Sequence, residues 1–224
     1  VYVLEIHPED EMLYRMDGEW LSLNKRDVDV EIKLFGFLRW KFKREALSSI
    51  HGPVLRTDHG SYAIRYAGIG EMRQIEQWMA MSKAQNLDQW REAMRLHRFA
   101  SFNFVAADSG GNIMFLHNSM TPVRASGYNW AQYLPGNKKE LIWDSYLPLD
   151  SLPQLVNPAS GFILSANQSP FKVTRHPHNP DHSQYRSEDG FPARMTNRAN
   201  RGLELLIELG PISESEFSAI KHDK

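Results

Sequence analysis

The strongest constraint on this chain is a period-two alternation between residues 27 and 42. In "VDVEIKLFG", Val28, Val30 and Ile32 alternate with Asp27, Asp29 and Glu31. Successive side chains of a strand point to opposite faces, so this run predicts a strand with one buried and one wet face. Beyond the glycine, "LRWKFKREALSSI" continues the alternation through Leu38, Trp40 and Phe42.

The flanking segments agree. "VYVLEI" is rich in β-branched and aromatic residues and predicts a strand. "MLYRMDGEWLSL" predicts a hairpin turning at Asp17-Gly18. "GPVLR" and "SYAIRYAG" are two further short strands separated by "TDHG". From Gly70 to about Phe99 the spacing becomes helical, with Ile75, Trp78 and Met79 on one helix. "NLDQWREAMRLH" gives a second helix, capped by Asn86, that buries Leu87, Trp90 and Met94. "FNFVAAD" and "IMFLHN" then form a hairpin around "SGGN". Residues 118–160 read as mostly irregular, "GFILSAN" as one more strand, and "PFKVTRHPHNPDHSQYRSEDGFP" as a polar loop. "ARMTNRANRGLELLIELG" is a helix stopped at Gly210-Pro211, and "SESEF" opens a last helix with a cap at Ser215. Strands, two helices, strands, then helix is an α+β order with a mainly antiparallel sheet.

Composition removes several classes of function. The 224 residues contain no cysteine, which excludes disulfides, thiolate metal sites and a cysteine nucleophile. A net charge of -1 predicts no attraction to nucleic acid or to an acidic membrane surface. No apolar run approaches the roughly 18–20 residues that span a bilayer. The chain begins at Val1 directly on a strand-like run, as a processed chain or a cut piece would.

Four groups of residues are candidates for chemistry, each with a structural alternative. His176, His178, Asp181 and His182 have zinc-ligating side chains, but Pro177 and Pro180 keep them off a common helix face, and a solvated loop fits them as well. Arg194, Arg198 and Arg201 have helical spacing suited to holding a carboxylate or oxyanion, or to lining an exposed face. Trp78, Trp90, Phe99, Phe102 and Phe104 suit either an apolar pocket or plain core. Asn167, after "GFILSA", suits either a turn cap or an amide aimed at a developing oxyanion. The sequence contains no G-x-S-x-G, Walker loop or H-E-x-x-H motif.

Taken together, several segments resemble one family. "HGPVLRTDHGSYAIRYAG", "KAQNLDQWREAM" followed by "FNFVAADSGGNIMFLHNSMTPVR", "LPQLVNPASGFILSANQSP" and "NRANRGLELL" occur in the order and spacing of the penicillin acylase family, the N-terminal-nucleophile amidases. In texture the chain is most similar to the acyl-homoserine lactone acylases within it. The resemblance implies an αββα sandwich of antiparallel sheets with flanking helices, of which residues 1–224 are a single internal fragment of the larger chain, truncated at both ends. It implies a periplasmic precursor cut into a smaller alpha chain and a larger chain that begins with the nucleophilic serine.

In that family the serine hydroxyl attacks an amide carbonyl and its own α-amino group is the base. An amine with a pKa of about 8 suits that role near neutral pH. Carried over by position, the asparagine that holds the oxyanion falls on Asn167, and the arginine that organises it falls on Arg198. Phe102 falls on the acyl pocket and Trp78 on an aromatic near it. Gln168 replaces an asparagine found in some members.

The serine and the backbone oxyanion donor correspond to positions before Val1, so the resemblance implies that this fragment is inactive by itself. The implied parent hydrolyses an acyl-homoserine lactone or a β-lactam side-chain amide. The alternative is a non-catalytic binding or assembly domain that keeps the acylase frame. The chemistry requires no cofactor. Calcium is common in that family, with carboxylate ligands that correspond to positions before Val1 and to the loop around Asp181. The resemblance therefore allows a structural calcium in the full-length protein but places no metal on particular residues of this chain. Sheet edges left bare by missing strands invite pairing with a second copy.

Overall fold

A computed structural model describes residues 1–223. In chain order the elements are β1 (Tyr2–Leu4), β2 (Leu13–Met16), β3 (Glu19–Ser22), β4 (Asn24–Leu34), β5 (Leu38–Ser49), β6 (Gly52–Thr57), β7 (Gly60–Ala63), α1 (Gln74–Lys83), α2 (Leu87–Met94), β8 (Ser101–Ala107), β9 (Ile113–Ser119), β10 (Leu134–Pro135), β11 (Gln154–Val156), α3 (Asn197–Leu209) and α4 (Glu214–Lys221). They form two compact units, Val1–Ile69 with Arg124–Asp144, and Gly70–Val123 with Ser145–Lys224.

The first unit is built on a sheet of order β10-β1-β7-β6-β5-β4, antiparallel except for β1 beside β10. Tyr2, Leu4, Tyr14, Met16, Leu47 and Leu134 are among its buried core. Asp17 and Gly18 both have positive φ, 47° and 90°, and so make the tight turn between β2 and β3. The buried His51 ring stacks on Tyr2 with centroids 4.3 Å apart and meets the Gly136 carbonyl through Nε2 at 2.9 Å. Gly136 is required where it stands, because a Cβ there would lie 2.6 Å from the Val3 carbonyl oxygen.

The alternating run forms the strands it predicts, but its apolar face is not buried. β4 and β5 pair in register from Asn24↔Ser48 to Leu34↔Leu38, while β6 joins β5 only over Leu47–Ser49. Most of the hairpin is therefore a two-stranded ribbon. One face sets Val30 opposite Phe42 and Ile32 opposite Trp40; the other sets Asp29 opposite Lys43 and Glu31 opposite Lys41. Ile32 and Trp40 remain 40% and 59% exposed. The expectation of a buried face fails because burial needs a third layer, which alternation alone does not encode. What the ribbon has instead is cross-strand pairing: Trp40 beside Phe42, with centroids 5.2 Å apart, and ion pairs of Glu31 with Arg39 and Lys41.

The second unit is built on the sheet β11-β9-β8. Its central strand, β9, is buried from Met114 onward. Met94, Met114, Leu116, Leu149 and Leu152 form the core against α2. Asn86 caps α2 as expected, its side chain accepting from the Gln89 N–H at 2.9 Å. On α1 the fully buried residue is polar: Gln77 accepts from the Arg98 N–H at 2.6 Å. Ile75, Trp78 and Met79 on the same helix are exposed.

Three local expectations are corrected. "GFILSAN" is not a strand: the Leu164 N–H bonds the Val173 carbonyl at 2.7 Å, but side chains take the neighbouring backbone groups. The Asn179 side-chain oxygen accepts from the N–H groups of Val173 and Thr174, and the Thr174 hydroxyl donates to the Phe162 carbonyl. α3 starts at Asn197, capped by Thr196, so Arg194 precedes the helix and shares no helical face with Arg198. α4 is capped by Ser213 rather than Ser215, in a reciprocal box with Glu216.

Candidate active site

Asn167 and Arg198 meet in the second unit, at the loop that follows Leu164. Asn167 sits at its apex with φ of +62°, a left-handed conformation that strains a residue with a Cβ. Non-glycine residues held in this way cluster at functional sites. The Arg198 guanidinium, on the first turn of α3, donates through Nη2 to the Ala166 carbonyl at 2.9 Å and to Asn167 Oδ1 at 3.3 Å.

That contact assigns the amide. With Oδ1 turned to the cation, Nδ2 carries its two hydrogens away from Arg198. Nδ2 has no protein acceptor among the described residues, and Asn167 is exposed. The arrangement is a pre-aimed donor backed by a positive charge, which suits an oxyanion. The turn-cap alternative is not what the geometry shows: the capping amide of this loop is the next residue. Gln168 is 1% exposed. Its Oε1 accepts from the Ala166 N–H at 2.6 Å, and its Nε2 donates to the carbonyls of Leu164 and Lys172 at 2.9 and 3.0 Å.

Gln168 also ties the loop to the sheet. Its carbonyl accepts from Asn103 Nδ2 at 3.0 Å, and Asn103 Oδ1 lies 2.6 Å from His117 Nδ1. Asn103 and His117 are directly opposite each other in the β8–β9 ladder. Asn103 and His117 carry signals that sequence reading passed over: Asn103 is a polar residue between Phe102 and Phe104, and His117 directly follows the apolar run Ile113–Leu116.

Phe102 precedes Asn103 on β8, so the hydrogen bond to Gln168 brings its backbone near that of Asn167. Its ring joins Phe99 at 5.2 Å and Phe104 at 5.9 Å, and Phe99 in turn meets Trp78 at 5.8 Å. Phe99 is buried, whereas Phe102 and Trp78 are 51% and 55% exposed. The aromatic set is thus neither plain core nor a closed pocket, but an apolar surface rooted in the core. Arg201 does not join Arg198; it pairs with Asp223 at 2.7 Å and Glu204 at 3.6 Å.

No cluster of three or more His, Asp or Glu side chains able to hold a metal ion occurs among the described residues. Asp181 accepts from the N–H and hydroxyl of Ser183, and the His182 ring packs on Phe171 at 4.6 Å.

Burial drives the His117 imidazole down to a pKa of about 4. Between that value and the unfolded value of about 6.5, the unfolded chain binds a proton that the folded chain refuses. Stability therefore rises with pH across this window and is lost as pH falls through it. Replacing His117 with Gln should flatten the slope of the unfolding free energy between pH 6.5 and 4. Chemical denaturation at several pH values reads this, with a wild-type contribution of up to ~3 kcal/mol.

Comparison with known proteins assigns the family. The model of the penicillin amidase family matches residues 1–224, and the chain belongs to that family. It is 28% identical to penicillin G acylase of Escherichia coli, over 77% of this chain and 20% of that protein. It is 26% identical to the acyl-homoserine lactone acylase PvdQ of Pseudomonas syringae pv. tomato, over 98% of this chain and 32% of that protein. The solved structure of thermostable penicillin G acylase from Alcaligenes faecalis superposes with a TM-score of 0.75 at 19% identity, covering 98% of this chain and 37% of that one. The expected N-terminal-nucleophile hydrolase fold is therefore observed. The chain spans 20% and 32% of the lengths of those two curated relatives.

Proposed function

We propose that these residues form the oxyanion-stabilising side of an acyl-amide hydrolase, with Asn167 as the donor and Arg198 as the group that aims it. The observation that carries this reading is the strained Asn167, whose Oδ1 faces Arg198 and whose amide hydrogens face outward. The nucleophile is a serine at the start of the larger processed chain, outside these residues. Its Oγ attacks the amide carbon while its α-amino group takes the hydroxyl proton. The carbonyl oxygen becomes an oxyanion that accepts from Asn167 Nδ2. Collapse expels the amine, which leaves with the proton, and water then releases the acid from the acyl-enzyme.

The half-exposed Phe102 and Trp78 favour an apolar acyl group, and the relatives named as acylases support an acyl-homoserine lactone or a β-lactam side-chain amide as substrate. On this reading the smaller alpha chain completes the pocket and the protein works in the periplasm. Calcium, where bound, serves structure and not the chemistry.

The test compares the 224-residue chain with the full two-chain protein on acyl-homoserine lactones and β-lactam amides. Hydrolysis is expected only from the full protein. Turnover by the 224 residues alone would overturn the external-serine reading. A full protein that binds these amides without cleaving them would overturn the enzyme reading in favour of a binding domain.

A further inference from the structure

We propose that Gln168, backed by Asn103 and His117, is a positioning residue that fixes the direction of the Asn167 side chain. The inference rests on the role given above to Asn167, but it is carried by different atoms.

The first observation is the closure of the loop. One backbone hydrogen bond, from the Leu164 N–H to the Val173 carbonyl, joins the base of its two arms; nearer the apex the Gln168 side chain joins them. Its two amide hydrogens go to carbonyls on opposite arms, Leu164 before the apex and Lys172 after it. Its oxygen takes the Ala166 N–H, between Leu164 and the apex. Between Leu164 and the apex, one side chain thus stands in for the backbone pairing that a strand would have continued, with both of its donors in use.

The second observation concerns the residues on either side of Asn167. Ala166 is pinned at both backbone polar atoms, its N–H by Gln168 and its carbonyl by Arg198. Gln168 is pinned at its own carbonyl by Asn103. Asn167 therefore stands between two anchored neighbours, and its left-handed backbone is over-determined by them. Strain of this kind persists only where the surroundings enforce it. Without the anchors, the apex would relax to a right-handed or extended conformation, and the side chain would turn with it.

The third observation is the rigidity of the anchor. Asn103 Nδ2 donates to Gln168, so its Oδ1 is an acceptor and the close His117 Nδ1 is the donor. His117 is buried, its backbone N–H is bonded to the Pro153 carbonyl at 2.9 Å, and its ring lies edge-on to Phe191 at 5.5 Å. Burial holds it neutral at working pH, so this tautomer persists. The line His117–Asn103–Gln168 runs from the buried central strand to the loop and fixes its height above the sheet. Arg198 sets the rotation of the Asn167 amide, and Gln168 sets the backbone from which it projects.

The test is a double-mutant cycle in the full two-chain enzyme with Asn167→Gly, Gln168→Met and the double variant. Methionine keeps the length and burial of Gln168 without its hydrogen bonds. Gln168→Met should lower kcat by about 10- to 50-fold with KM within about twofold, as for an interaction used only in the transition state. The double variant should be no slower than Asn167→Gly alone, within about twofold, because Gln168 acts through Asn167. Amide exchange supplies a readout independent of turnover: the Ala166 N–H should exchange faster in Gln168→Met while the β9 amides do not.

Losses that multiply in the double variant would overturn the inference. So would wild-type kcat in Gln168→Met beside a slow Asn167→Gly, or faster exchange spread across β9, which marks general destabilisation. Near-normal kcat in Asn167→Gly is a different failure: it removes the oxyanion role itself, and the inference with it.

Discussion

Replacing Asn167 with alanine in the full two-chain enzyme is expected to lower kcat by about two to three orders of magnitude, the usual loss for one oxyanion donor. KM should change little, because the oxyanion exists in the transition state and not in the bound amide. Alanine carries a second penalty here. Asn167 has φ of +62°, where a Cβ is strained by about 1–2 kcal/mol and asparagine tolerates the region better than alanine does. Asn167→Gly separates the two effects, since glycine removes the amide and relieves the backbone. The two variants should be equally slow, with the glycine variant the more stable. Steady-state kinetics and thermal unfolding on the same preparations check this. A glycine variant with near-normal kcat would exclude Asn167 from the oxyanion hole.

Loss of Arg198 should be the next largest effect, about 10- to 100-fold in kcat for Arg198→Ala, in the range of a lost charge-assisted hydrogen bond. One nitrogen, Nη2, serves both the Ala166 carbonyl and Asn167 Oδ1. Its removal frees the Asn167 amide to rotate, and it also removes a positive charge beside the developing oxyanion. Lysine restores charge but not the planar fork, so Arg198→Lys should recover part of the activity.

The parts of the fold that were legible in the sequence are those governed by local sterics. Asp17-Gly18 turns because both residues adopt positive φ, and Asn86 caps α2 because its short side chain reaches the Gln89 N–H. Alternation in residues 27–42 marked the strands but not their burial, which depends on a layer that no local pattern specifies. "GFILSAN" misled for a related reason. Its residues have strand propensity, but the backbone partners are taken by the side chains of Asn179, Thr174 and Gln168, which lie outside the run itself.

The site was legible in outline only through the family pattern. Spacing linked Arg198 to Arg194 and Arg201, whereas in the structure Arg198 serves Asn167, Arg194 precedes the helix and meets the loop only through its carbonyl, bonded by the Ser169 N–H, and Arg201 pairs with Asp223. Gln168 looked like a mild substitution beside the important residue. Nothing local says that an amide at that position will close a loop on itself, because its partners become visible only once both arms of the loop are in place.

The β4–β5 ribbon has a consequence for handling this polypeptide. One face is held by exposed ion pairs, the other shows Ile32, Leu38 and Trp40 to water. Added salt acts on the two faces in opposite senses: it screens the charges, and with sulfate or phosphate it strengthens apolar adhesion. Sulfate and phosphate would therefore make the apolar face of this ribbon stickier while loosening its charged face.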